Sequence, residues 1–145
     1  MKKISGWLVF GMVTGVVLLL SYTSCSNSKM DSNTAVNEEE LKNGSWVITY
    51  FWDKDREETD HFSGMEFTFE NNGSLAAVGS SSSANGFWST ESDDSRVKLA
   101  LFFAVAPFSE LSEDWMMATT SSAKIELMHE SGGDAGISRL TFDRK

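Results

Sequence analysis

Few side chains in this 145-residue chain could do chemistry, and their spacing restricts what that chemistry could be. There is one cysteine, Cys25, and there are two histidines, His61 and His129. No Ser, Cys or paired-acid constellation stands beside either histidine, so nothing in the sequence offers a general base with its nucleophile. No glycine-rich loop precedes a helix to cradle a phosphate. Asp53, Asp55, Glu57, Glu58 and Asp60 crowd one segment, with Lys54, Arg56 and His61 among them. Hard oxygen ligands at that density suit Ca²⁺, but a helix-flanked calcium loop requires Gly at its sixth position, and Glu58 stands there. The segment therefore reads as a solvated acidic loop. The expectation is a protein that is not an enzyme, with no catalytic residue, no metal ligand and no cofactor.

What the chain offers instead is aromatic surface. Trp52, Phe62, Trp88, Phe102, Phe103, Phe108 and Trp115 exceed the needs of a small core. Small-molecule pockets are lined by such residues with few polar groups, which makes these seven the candidate ligand-binding residues. For any one of them, ordinary core packing is the stronger account. Phe102, Phe103 and Phe108 flank a non-strand segment able to cap a barrel mouth.

β-Structure has to hold these rings. Gly44 to Phe69 contains two runs rich in aromatic and β-branched residues, split by the acidic loop, which describes neighbouring strands. Alternation places Trp46, Ile48, Tyr50 and Trp52 on one face of the first, and Met65, Phe67 and Phe69 on one face of the second. Asn71-Asn72-Gly73 is a hairpin signal leading into Ser74–Gly79. After a loop at Ser80–Asn85 come a short strand at Gly86–Thr90 and a longer one at Arg96–Phe103. Pro107–Asp114 favours a helical turn or two, and Trp115–Thr119, Ala123–His129 and Ile137–Asp143 complete the series. Eight short antiparallel strands predict an all-β fold, a sandwich or an up-and-down barrel. A barrel abolishes edge strands, which suits a chain with a single Pro. Its interior would be filled by side chains or hold one small ligand.

Residues 1–24 read as a secretory signal: Lys2 and Lys3, a mostly apolar run from Trp7 to Leu20, then small polar residues up to Cys25. Residues 25–40 are polar and aperiodic and read as a flexible tether. The folded domain is expected over 41–145. With Lys2 and Lys3 in the signal, ten of the 12 basic residues remain against 21 acidic ones, and the formal charge moves from −9 to −11. Without clustered Lys and Arg, nucleic acid is excluded as a partner. A monomer is expected.

Two resemblances follow from quoted residues. S-Y-T-S-C, ending the apolar run at Cys25, resembles the lipobox of bacterial lipoproteins, with Tyr22 where an aliphatic residue is usual. It implies a lipidated Cys25, a membrane partner reached through acyl chains such as palmitate, and a place in the cell envelope, at the outer membrane. Gly44-Ser45-Trp46, opening the first strand after a short helical turn, resembles the G-x-W motif of lipocalins. The series L-K-N-G-S-W-V-I-T-Y-F, H-F-S-G-M-E-F-T-F-E-N-N-G, G-F-W-S, S-E-L-S-E-D-W, K-I-E-L and L-T-F resembles lipocalin-like domains of Gram-negative envelope lipoproteins. The resemblance implies that Trp46 plugs the closed end of the barrel beneath an Arg of the last strand, for which Arg139 is the candidate. It leaves two functions open: a non-catalytic binding module for a small apolar or amphipathic ligand, or an envelope protein-interaction module with a filled barrel.

Overall fold

The computed structural model describes residues 38–93, 96–133 and 136–145. The residues read as a signal, Cys25 and most of those read as a tether lie outside them. A helix α1 (Glu38–Lys42) takes in the last residues assigned to the tether and buries Leu41. Strands β1 (Trp46–Asp53) and β2 (Arg56–Glu57) follow, then a 3-10 turn at Thr59–Phe62. Next come β3 (Glu66–Phe69), β4 (Ser74–Val78), β5 (Ser83–Asp93) and β6 (Arg96–Phe103). A second 3-10 turn at Phe108–Leu111 precedes β7 (Asp114–Thr120), β8 (Lys124–Glu130) and β9 (Ile137–Arg144).

The sheet is antiparallel throughout, in the order β1, β3, β4, β5, β6, β7, β8, β9, and the pairing of β9 with β1 closes it. The fold is thus an eight-stranded up-and-down barrel with β2 as an extra two-residue strand hairpinned onto β1. Closure rests on unequal seams. β1 matches β9 along its length, from Trp46 opposite Arg144 to Trp52 opposite Arg139, but meets β3 at a single rung, Trp46 opposite Phe67. The first 3-10 turn seals the rest of that seam. The Glu58 amide donates to the Phe51 carbonyl at 2.9 Å, and the Phe51 amide donates to Thr59 Oγ1 at 2.8 Å. Backbone groups that a strand neighbour would satisfy are satisfied here by one loop, as buried polar groups must be.

The structure corrects the expected face of β1. The register with β9 shifts between Ile48 and Tyr50, leaving Thr49 as the additional, exposed residue of a bulge. A bulge reverses the inward–outward sense of everything beyond it. Phe51 is therefore fully buried, while Tyr50 and Trp52 are only half-buried. On β3 and β4 the alternation holds: Phe67, Phe69, Leu75 and Ala77 are buried, with Thr68 and Ala76 on the other face. The hairpin at Asn72-Gly73 forms with Gly73 at φ +81°, a conformation that Gly adopts without steric cost. Ser80–Asn85 is not wholly loop, because β5 begins at Ser83 and runs 11 residues. Gly86 lets β5 and β6 come together, since a Cβ there would collide with the Phe102 carbonyl and lie 2.7 Å from the Phe103 ring.

Candidate functional site

One end of the barrel is closed by Trp46. Its indole is fully buried and donates from Nε1 to the Leu41 carbonyl at 2.9 Å, tying β1 to α1. Arg144, at the last rung of β9, lies over the ring with its guanidinium carbon 4.4 Å from the centroid. The same guanidinium donates to the Glu40 carbonyl at 2.9 Å, to the Glu40 carboxylate at 3.1 Å and to the Ser122 carbonyl. Gly44, at φ +95°, lies close enough that a Cβ would come within 3.2 Å of Arg144 Nη1. The arginine over Trp46 is thus Arg144 and not Arg139. Register is the reason: Arg139 pairs opposite Trp52, far along the strand, and is exposed.

The barrel axis is filled. Phe67 makes edge contacts with Phe62, Phe103 and Phe142 at centroid distances of 6.3, 6.5 and 5.5 Å. Phe51 does the same with Phe62 and Trp115, at 5.5 and 6.4 Å. At the end opposite Trp46 the two 3-10 turns lie over the mouth, with Phe62 of one against Phe108 of the other at 6.2 Å. Trp115 is held from above by its own hydrogen bond, Nε1 to the Leu111 carbonyl, 2.9 Å. Edge-to-face packing of this kind adds about 0.5–1.5 kcal/mol per pair beyond area burial.

The seven candidate ligand-binding aromatics consequently do not converge on one cavity. Phe62, Phe103, Phe108 and Trp115 are buried in the packed interior. Trp52 is half-buried beside β2 and donates to the Lys54 carbonyl at 3.0 Å. Trp88 is buried too, edge-on against Phe69 at 5.5 Å, and touches from within a groove of about 650 Å³ on the outer wall that the exposed Phe102 borders. That groove runs over β5, β6 and the start of β7, between the turn at Asn72 and Gly73 and the side chain of His129. Its apolar centre is a cross-strand pair, Phe87 opposite Phe102, exposed by 65% and 55%. Its far rim is acidic: Glu113 lies 3.5 Å from His129 Nε2, and the Asp114 carbonyl lies 3.1 Å from His129 Nδ1. Phe87 was missed from sequence because outward aromatics on a strand look like inward ones until the register is known. The available signal was G-F-W itself, in which adjacent rings must point to opposite faces.

The acidic loop and the histidines also find their places. His61 Nδ1 lies 2.7 Å from Glu110 Oε2, across the mouth from one 3-10 turn to the other. That hydrogen bond raises the His61 pKa above its ordinary value against the opposing effect of burial, and the Glu110, Glu58 and Asp60 charges add to it. At the other end of the barrel Lys145 bonds Glu66 and holds that carboxyl below the usual range. Among the described residues no helix is long and apolar enough to cross a membrane.

No protein-family model matches the chain, and no curated protein matches it. A solved structure similar to it is that of a DUF4847 family protein from Bacteroides vulgatus, with 15% sequence identity. The match covers 74% of this chain and 96% of that one, at a TM-score of 0.49. At that identity and score it carries no function and no site residue across.

Proposed function

We propose that this chain is a lipid-anchored, lipocalin-like protein of the bacterial envelope that recognises another protein on the outer wall of its barrel, without catalysing a reaction. The observation that carries this reading is the contrast between a lumen packed with rings and an outer groove centred on the exposed Phe87 and Phe102. Isolated exposed apolar residues need no explanation, but a paired aromatic patch beside a groove marks an interaction surface. The acidic rim at Glu113 and Asp114, on a chain of formal charge −9, favours a partner segment that brings an apolar side chain flanked by Lys or Arg. The interior-ligand function loses support because the rings that would have lined the cavity fill it.

Lipidation at Cys25 rests on the resemblance of S-Y-T-S-C to a lipobox, and it would place the groove within tether reach of the membrane surface. The test is a photocrosslinking residue placed at position 102 in the lipidated protein in cells. One discrete adduct is expected, lost on Glu113→Lys with Asp114→Lys, and absent when the probe is moved to the exposed Thr49 of β1, across the barrel from β5 and β6. Equal crosslinking from both positions would overturn the proposal. So would stoichiometric uptake of a fatty acid that Phe67→Ala strengthens and Phe102→Ser leaves unchanged, since that would restore the lumen as the binding site.

A further inference from the structure

The geometry points to a binding site for a divalent transition ion of the zinc type at the barrel mouth, formed by Glu58, His61 and Glu110. One ligand atom from each of these residues lies within 4.8 Å of the other two. The donor set is one imidazole nitrogen and two carboxylates, which suits zinc-like ions and is poorly matched to calcium, whose ligands are all oxygen. No stretch of sequence announces it, because Glu110 comes from the far 3-10 turn.

The local backbone explains why the donors meet. The His61 amide donates to the Glu58 carbonyl at 3.1 Å, closing a 3-10 turn, and in that geometry side chains three apart eclipse one another. Glu58 and His61 therefore project on the same side. Glu110 sits in the second turn, Phe108–Leu111, and reaches across to His61 Nδ1. Beneath them the packed rings of Phe62 and Phe108 fix the separation of the two turns. The donors are thus held by the fold from below and do not depend on a mobile loop.

The adjustment an ion requires is small. Tetrahedral ligands at about 2.0–2.2 Å from zinc lie roughly 3.4 Å from one another. The His61–Glu110 contact of 2.7 Å must open by under an ångström, and the widest pair must close by at most about 1.4 Å. Side-chain rotation covers both. The Arg56 guanidinium, 3.5 Å from Glu58 Oε1, is largely exposed and can swing into solvent when the ion arrives. Three protein donors leave the remaining coordination to water. The bound ion would cross-link the two turns that cover the mouth, so binding would stabilise the folded barrel by mass action.

The test uses the full chain, stripped with a chelator and held at about pH 8, where a free imidazole is neutral. Zinc is titrated by calorimetry, and thermal unfolding is followed with and without it. One equivalent of zinc is expected to bind and to raise the unfolding temperature, while calcium at the same concentration does neither. Cobalt in place of zinc should show visible absorption from a low-coordinate site. His61→Ala and Glu110→Gln should each weaken zinc by at least about tenfold, the scale seen even for residues that only support a ligand. His129→Ala, at the other His–Glu contact, should leave zinc binding unchanged. Circular dichroism establishes that each variant is folded before its affinity is read. The proposal is overturned if no stoichiometric zinc binds, if both mouth variants keep the parent affinity, or if His129→Ala is the variant that loses it.

Discussion

Replacing Trp46 by Ala should nearly abolish the fold, and the coupling of that loss to Arg144 tests how the closed end is held. Trp46 is fully buried, and truncating a buried aromatic costs about 3–5 kcal/mol. That is a large share of the ~5–15 kcal/mol that holds a domain together. Three features contribute: burial of the indole in the core, the Nε1 bond to the Leu41 carbonyl and the Arg144 guanidinium over the ring. Trp46→Phe isolates the hydrogen bond, because it keeps most of the packing and leaves the Leu41 carbonyl without its donor; a loss of about 1–3 kcal/mol is expected. Arg144→Ala removes a cation–π contact of about 0.5–2 kcal/mol. It also removes the charged donor to Glu40, worth about 1.5–3 kcal/mol if fully desolvated and less here, where the Arg144 side chain is 21% exposed.

The assay is urea unfolding of both single variants and the double variant, analysed as a cycle. Contacting residues do not add, so part of the Arg144 loss should vanish in the Trp46→Ala background, by about 0.5–2 kcal/mol. If Trp46→Ala alone is too unstable to measure, Trp46→Leu serves as the reference. Arg139→Ala, exposed and opposite Trp52, should show no coupling to Trp46. Strict additivity for Trp46 and Arg144, or coupling at Arg139 instead, would refute this account of the closed end.

Three further outcomes follow from the same physics. Gly86→Ala should destabilise by about 1–3 kcal/mol in urea melts through overpacking against β6, whereas Gly132→Ala, with open space around it, should be close to neutral. In chelator-treated protein, the raised His61 pKa contributes stability that is fully present below the ordinary value of 6.5 and is lost as pH rises through the folded value. The effect is small because the pair is solvent-exposed, and Glu110→Gln should flatten that slope in melts from acid to neutral pH while the Glu58 and Asp60 charges leave a residue of it. Cys25→Ser should abolish acylation as read by mass spectrometry of the membrane fraction; acyl chains persisting on the variant would remove the anchor from the reading.

The barrel was legible in the sequence because period-two alternation survives wherever strands are regular. Met65, Phe67 and Phe69 were placed correctly from pattern alone. The misplacements have one physical origin: register depends on contacts between distant segments. The bulge at Thr49 inverts the second half of β1, and nothing in W-V-I-T-Y-F-W marks it. Arg139 and Arg144 both lie on β9, and only the pairing with β1 decides which reaches Trp46. The groove and the Glu58–His61–Glu110 cluster are likewise assembled from segments far apart in the chain.

Filling the lumen changes where recognition can occur. A lipocalin-type barrel that keeps an open mouth can take a ligand along its axis; here each end is occupied, by Trp46 beneath Arg144 at one and by Phe62 against Phe108 at the other. Admitting a ligand would require parting the two 3-10 turns and exposing Phe62, Phe108 and Leu111, all of them almost completely buried. Fully exposing three such side chains costs about 1.5–3 kcal/mol each, several kcal/mol in all, before any ligand contact repays it. The outer groove requires no such opening, since Phe87 and Phe102 already face solvent. An ion at Glu58, His61 and Glu110 would add to the cost of opening the mouth and leave the groove untouched. Zinc should therefore slow hydrogen exchange at the amides of residues 58–62 and 108–112 without altering crosslinking from position 102. If zinc changed both, mouth and groove would be coupled, and treating the barrel as a rigid support for its outer wall would fail.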